Sequence, residues 1–376
     1  MAEKESRKIK IAFTGDLSFS GYFRGKERED ILTPEVKKFL DDSRWTVINL
    51  ESPVTDSGDT EKERLAHKCD EAAVDFILDI FAAPVVSLAN NHMMDFGEKG
   101  LADTMKSLDR AGIQRLGAGR NIDEAARPVT LESDGFRVGI LAFQYKKTGT
   151  AGKNSAGPLH DSQKSIIRKT IKNLKKTADR VVVVYHGGEE FLHTPMPYNR
   201  KQLQKYISWG ADAVVAHHPH TVQGYEFYRG KYIFYSLGNF IFDTDYQRVQ
   251  KDSEDGMLLK LVFDPDSEKV EFQNLPIRIN RDNQTVAARE KDPYFRDINH
   301  MDYESFWAEE AVRKKSVLAD SNSIEKVEKK KLSRSQRIKK KLAESIKDPG
   351  EAKRKLTKKL YLKKAEKKPP ERRTET

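Results

Sequence analysis

The sequence is poor in cysteine, in long apolar runs and in anything resembling a leader. Cys69 is the single cysteine among 376 residues, so an internal disulfide framework is excluded and nothing points to an oxidising compartment. No pattern around Cys69 suggests an activated thiolate, which sets thiol catalysis aside. The longest apolar runs, residues 81–89 and 181–185, fall far short of the roughly 18–20 residues that a membrane-spanning helix needs. Residues 1–8 are charged and read as a flexible N-terminus, and the apolar run after them stops at Gly15-Asp16, so no signal peptide is expected and the cytoplasm is the expected location.

Charge is plentiful and unevenly placed. The chain carries 68 Lys+Arg against 58 Asp+Glu, a formal net charge of +10. Residues 311–376 alone hold 24 basic and 9 acidic residues, leaving 44 and 49 for residues 1–310. A mildly acidic body of residues 9–310 and a strongly basic tail of residues 311–376 follow, because a block of like charge opposes compaction. In the tail, Leu332, Ile338, Leu342 and Ile346 fall near one side of a helix that Asp348-Pro349-Gly350 breaks, and residues 353–368 form a second basic segment. It reads either as a solvated helical extension or as an amphipathic element peripheral to an anionic membrane surface, at the inner face of the membrane. Nucleic acid is disfavoured, since no aromatic interleaving accompanies the lysines.

Through the body, short β-branched runs alternate with segments of helical period, the sign of a layered α/β domain. Strands are expected at residues 9–14, 46–50, 85–89, 181–185 and 211–216, with late strands at 257–263 and 270–272. Hairpins are expected around Ser133-Asp134-Gly135 and Arg229-Gly230. Helices are expected at 71–82, 97–111, 162–178 and 199–209, the second carrying Leu101, Met105 and Leu108 on one face.

The polar residues that stand out lie just past the apolar runs: Gly15-Asp16, Asn49-Leu50-Glu51, Asn90-Asn91-His92 with Asp95, His186-Gly187-Gly188-Glu189, and His217-His218-Pro219-His220. Each has a duller explanation alone, such as a turn or a histidine bonded to backbone. Together they put five of the nine histidines at strand exits, where side chains from several strands converge. Carboxylates, an amide and neutral imidazoles meeting there suit two divalent ions of borderline hardness, Mn, Fe or Zn. Such a pair lowers the pKa of a shared water and clamps a phosphoryl group, with an imidazole nearby to protonate the leaving oxygen.

At these residues the chain resembles the CapA family, the capsule-synthesis branch of the calcineurin-like metallophosphoesterase superfamily, associated with poly-γ-glutamate capsule production. The matching stretches are Thr14-Gly15-Asp16, residues 49–55, Ala89-Asn90-Asn91-His92 with Asp95 and Gly97, His186-Gly187-Gly188-Glu189, His218-Pro219-His220, and residues 236–240 with Asn239. The resemblance implies a four-layer α/β/β/α sandwich of the metallo-dependent phosphatase type. It implies one metal on Asp16 and His220, a second on Asn91, His186 and His218, and Glu51 bridging them. His92 would be the general acid, oriented by Asp95, with Asn49, Glu189 and Asn239 in support. The superfamily has Asp-x-His in its first motif where this chain has Asp16-Leu17-Ser18, so the departure implies that one metal is weakly held or absent. The expected function is a metal-dependent phosphoesterase or hydrolase of capsule or other extracellular polymer biosynthesis, with a phosphate-containing or anionic polymer as substrate. A general phosphatase or phosphodiesterase, and a non-catalytic metal- or polymer-binding accessory protein, are the alternatives.

Overall fold

The computed structural model describes residues 7–21, 31–58, 60, 66–145, 149–282, 285–299, 301–302, 306 and 310, so the basic tail and its expected helices lie outside the described residues. The described chain falls into two units. One, residues up to 248 with 252–298, carries every element discussed below, and the other comprises 249–251 and the described residues beyond 298.

Eight strands form the larger sheet. Its path runs β16 (Thr285–Ala288), β15 (Val270–Asn280), β14 (Asp255–Phe263), β1 (Ile9–Ser18), β2 (Trp45–Leu50), β3 (Pro84–Ser87) and β4 (Gln114–Leu116), and β13 (Asn239–Phe242) pairs with the far end of β1. Strands β1 to β4 and β13 are parallel, whereas β14 to β16 continue antiparallel. The second sheet has the order β11 (Val222–Tyr228), β12 (Lys231–Leu237), β10 (Ala213–His217), β9 (Arg180–His186), β7 (Phe136–Gln144) and β6 (Val129–Ser133). Its four central strands are parallel and both edges are closed by antiparallel hairpins, the two that the turn residues predicted. A small ribbon pairs β5 (Ala118–Gly119) with β8 (Gly157–Pro158).

Two apolar clusters set the layers. Ile11, Phe13, Val47 and Val85 from the larger sheet meet Ile140, Val182, Val184, Val215 and Phe234 from the smaller one, so the sheets pack face to face. The opposite face of the larger sheet, with Ala12, Ile48 and Val86, is covered by three helices: α1 (Pro34–Asp41), α2 (Ala72–Ile80) and α3 (Gly97–Arg110). Each buries one stripe at helical spacing, Val36 and Leu40 in α1, Val74 and Ile77 in α2, Leu101, Met105 and Leu108 in α3. After the short α4 (Ile122–Ala125), helices α5 (Lys164–Thr177) and α6 (Pro197–Trp209) cover the other side of the smaller sheet, and α7 (Asp245–Arg248) is a single turn. Helix α5 buries Ile167, Ile171 and Leu174 while its lysines face outward. The result is the expected α/β/β/α sandwich.

The expected elements are present, with ends moved. Strand β1 runs on through Asp16 to Ser18 instead of stopping at residue 14, and β15 extends to Asn280. No apolar periodicity announces β13: it is four residues long and exists because it can pair with the extension of β1.

Candidate metal centre

The bend in β1 places the first functional side chain. Ala12 and Leu17 both face the helix side although five residues apart, and the register of β1 against β2 shifts between Phe13 and Asp16. One extra residue at Thr14-Gly15 has therefore inverted the alternation, turning Asp16 into the gap between the sheets. Gly15 allows it: a Cβ there would lie 2.5 Å from the carbonyl oxygen of Gly238, whose own φ of 65° suits a residue without a side chain. The Asp16 N–H donates to that same oxygen at 2.8 Å. In register, Asp16 stands between Asn49 on β2 and Asn239 on β13.

Around Asp16 the strand exits converge. Asn49 Nδ2 donates to Asp16 Oδ1 at 2.8 Å and to Glu51 Oε1 at 3.1 Å, and lies 3.1 Å from His186 Nδ1. His220 Nδ1 is 3.3 Å from Asp16 Oδ2, which also accepts the main-chain N–H of His218 at 3.0 Å. Asp16, Glu51 and His220 are buried, and each offers a ligand atom within 4.8 Å of the others. Beside them, His186 Nε2 is 2.7 Å from Asn91 Oδ1 and 3.1 Å from His218 Nδ1. His186 Nδ1 lies 3.5 Å from Glu51 Oε1, which puts Glu51 between the two groups of donors.

Local structure aims these donors. Asn90 Oδ1 accepts the N–H groups of His92 and Met93 at 3.1 and 3.0 Å while its Nδ2 donates to the Leu50 carbonyl at 2.7 Å, tying the exit of β3 to that of β2. His218 and His220 have φ of 99° and 56°, left-handed values that cost a residue with a side chain about 1–3 kcal/mol each and persist where the surroundings hold them. Asn239 Oδ1 takes His220 Nδ1 at 2.9 Å and its Nδ2 donates to the Ser253 carbonyl at 2.8 Å. His217 faces away from the donors: its Nε2 donates to the Thr14 carbonyl at 2.9 Å, and burial, outweighing the Asp16 charge, pushes its pKa down and keeps it neutral. It braces the bulge.

His92 Nδ1 is 2.8 Å from Asp95 Oδ2, with Asp95 fully buried and the His92 side chain 12% exposed. Glu189 is not drawn into the donor group. It accepts a hydrogen bond from Tyr198 at the start of α6, while its neighbour Glu190 comes within 3.6 Å of His218 Nε2. Tyr145 OH lies 3.0 Å from the same nitrogen. Neither Tyr145 nor Glu190 is among the residues singled out from the sequence, although Tyr145 directly follows the end of β7 and the strand-exit rule reaches it.

The donor set fits a metal. Two carboxylates buried within 4.8 Å of each other repel in a low-dielectric interior unless a cation lies between them. Carboxylate, amide and imidazole together suit divalent ions of borderline hardness.

Residues 10–244 match the family described as "Bacterial capsule synthesis protein PGA_cap". The capsule biosynthesis protein CapA of Bacillus anthracis is 31% identical over 265 residues, covering 66% of this chain and 63% of that protein. The PGA biosynthesis protein CapA of Bacillus subtilis is 29% identical over 64% of this chain and 65% of that protein. This chain thus spans less than two thirds of the length of either relative. Among solved structures, the NAD nucleotidase of Haemophilus influenzae aligns at a TM-score of 0.42 and 11% identity, over 84% of this chain and 60% of that one.

Proposed function

The chain belongs to the bacterial capsule synthesis protein family, and from that premise we propose that it is a metal-dependent phosphoesterase-type hydrolase working in the assembly of an anionic extracellular polymer of the poly-γ-glutamate type. The observation that carries the reading is the adjacency of two donor groups, Asp16–Glu51–His220 and Asn91–His186–His218, with the His92–Asp95 pair following directly in sequence.

Asp16, His220 and Glu51 would hold one divalent ion, and Asn91, His186 and His218, with Glu51 shared, a second. Bound there, the ions supply Lewis-acid polarisation and an acidified water for attack on a phosphate or similar ester. The protein's part is positional. Asn49 orients both carboxylates, Asn239 fixes the ring of His220, and Tyr145 with Glu190 engages His218 Nε2 so that Nδ1 faces His186. Asp95 holds the proton of His92 on Nδ1, which assigns proton exchange with the leaving oxygen to Nε2.

Metal content and phosphodiester turnover of protein purified without a His tag test this. About two equivalents of Mn, Fe or Zn are expected. Asp16→Ala should lose metal and turnover together. His92→Ala should keep the metal and lose about 10²–10⁴-fold in turnover on esters with poor leaving groups. Protein that binds no metal and does not respond to added metal would overturn the site. Tight metal binding with no turnover of any phosphoester would favour the accessory reading, which Ser18, in place of the superfamily's histidine, keeps open.

The basic tail is proposed to hold the body against anionic membrane surface. Deleting residues 311–376 should leave residues 9–310 folded and abolish salt-sensitive binding to anionic liposomes, and unchanged binding would remove the idea.

A further inference from the structure

Among the described residues, His67 lies within the proposed centre, yet neither the motifs nor the donor groups use it. It is 6% exposed. Its main-chain N–H donates to Asp95 Oδ2 at 2.8 Å, the same oxygen that His92 Nδ1 engages. Its ring packs beside that of His92, centroids 4.0 Å apart and planes tilted by 52°, and edge-on to Phe242 at 5.2 Å, which in turn contacts His220 at 4.9 Å. Its Nδ1 is 3.2 Å from Ser18 Oγ, which also accepts the Ser20 N–H at 3.2 Å. The segment is pinned by Cys69, whose N–H donates to the Pro53 carbonyl at 2.9 Å and whose carbonyl accepts the Thr55 N–H at 3.0 Å, on the chain that leaves Glu51.

We propose that His67 is a positioning residue for His92, holding its imidazole in the orientation from which a proton reaches the leaving oxygen. The proposal rests on reading His92 as the general acid. The hydrogen bond to Asp95 fixes the Nδ1 end of the His92 ring. The His67 ring packed beside it, its plane tilted by 52°, narrows rotation about that contact, and a shared carboxylate oxygen keeps both residues in one frame. His67 is not among the Asp16–Glu51–His220 donors, and an unchanged zinc affinity without its ring is the expected sign that it acts on the acid.

The test compares full-length wild type with His67→Ala and His67→Phe, both zinc-loaded. Imidazole NMR should show a slowly exchanging His92 Nδ1 proton in wild type, its loss in His67→Ala and its return in His67→Phe, which keeps the ring, with zinc affinity alike in all three. The ratio of turnover on an ethyl phosphodiester to that on a p-nitrophenyl phosphodiester should fall about ten- to a hundred-fold in His67→Ala, because only the poorer leaving group depends on the acid. Persistence of the slow proton in His67→Ala, loss of zinc affinity, or an equal fall on both esters would overturn the proposal. Wild type that cleaves neither ester would defeat the phosphoesterase reading instead, and the NMR comparison would still decide the role of His67.

Discussion

Asn49 shows what a residue-by-residue reading of a motif reaches and where it stops. The sequence marks it as the head of Asn49-Leu50-Glu51, a neighbour of the bridging carboxylate. Folding makes its amide the point where Asp16, Glu51 and His186 meet, because β2 lies between β1 and β3 and those neighbours come from 33 residues before and 137 after it. Asp16, Glu51, Asn91 and the histidines were legible because metal chemistry admits few residue types. Tyr145, Glu190 and His67 were not, because a tyrosine, the second of two glutamates and an isolated histidine acquire meaning only from what they touch. The same holds away from the centre at Glu124. Burial alone would raise its pKa, but hydrogen bonds from the Arg120 side chain and N–H and from Arg115 outweigh it and hold the carboxyl at about 2. A carboxylate with a depressed pKa stabilises the fold above its unfolded value of 4.5 and loses that contribution as pH falls towards about 2. Glu124→Gln should therefore cost on the order of 2 kcal/mol in urea unfolding near neutral pH, with the gap to wild type closing on acidification; a gap independent of pH would refute the assignment.

At the scale of elements, periodicity found the strands that bury an apolar stripe and the helices α2, α3, α5 and α6, since burial of one face is what produces the period. The ends of those strands were misplaced where polar residues stay in the ladder. Thr14, Gly15 and Asp16 look like an exit by composition, yet β1 continues through them to Ser18 with one extra residue. Composition cannot signal a bulge at which a carbonyl of Gly238, more than two hundred positions away, packs against Gly15 and accepts the Asp16 N–H. The functional consequence outruns the size of the defect, for without the added residue Asp16 would face α1 to α3 and Leu17 the centre.

For the molecule as a whole, the net charge of +10 sums 44 basic and 49 acidic residues over 1–310 with 24 and 9 over 311–376, and the candidate chemistry belongs to the former, the body. Within that body, the donors are divided between the two sheets. Asp16, Glu51 and Asn91 leave the eight-stranded sheet, whereas His186, His218 and His220 leave the six-stranded one. An ion held by both sets would be a tether across the sandwich. Its binding would add RT ln(1 + [L]/Kd) to the cohesion of the two sheets, about 2.7 kcal/mol at a hundredfold excess over Kd. Stripping the metal with EDTA should lower Tm, and returning it should raise Tm with the metal concentration; a Tm indifferent to both would mean that the sheets are not bridged. The tether also pulls both ways. A cavity cut between Phe13 and Val215, in the apolar layer that joins the sheets, loosens the frame on which the two halves of the site are mounted. By reciprocity, packing there would influence how firmly a metal is gripped, and a bound metal would resist the loosening of that layer to the same extent.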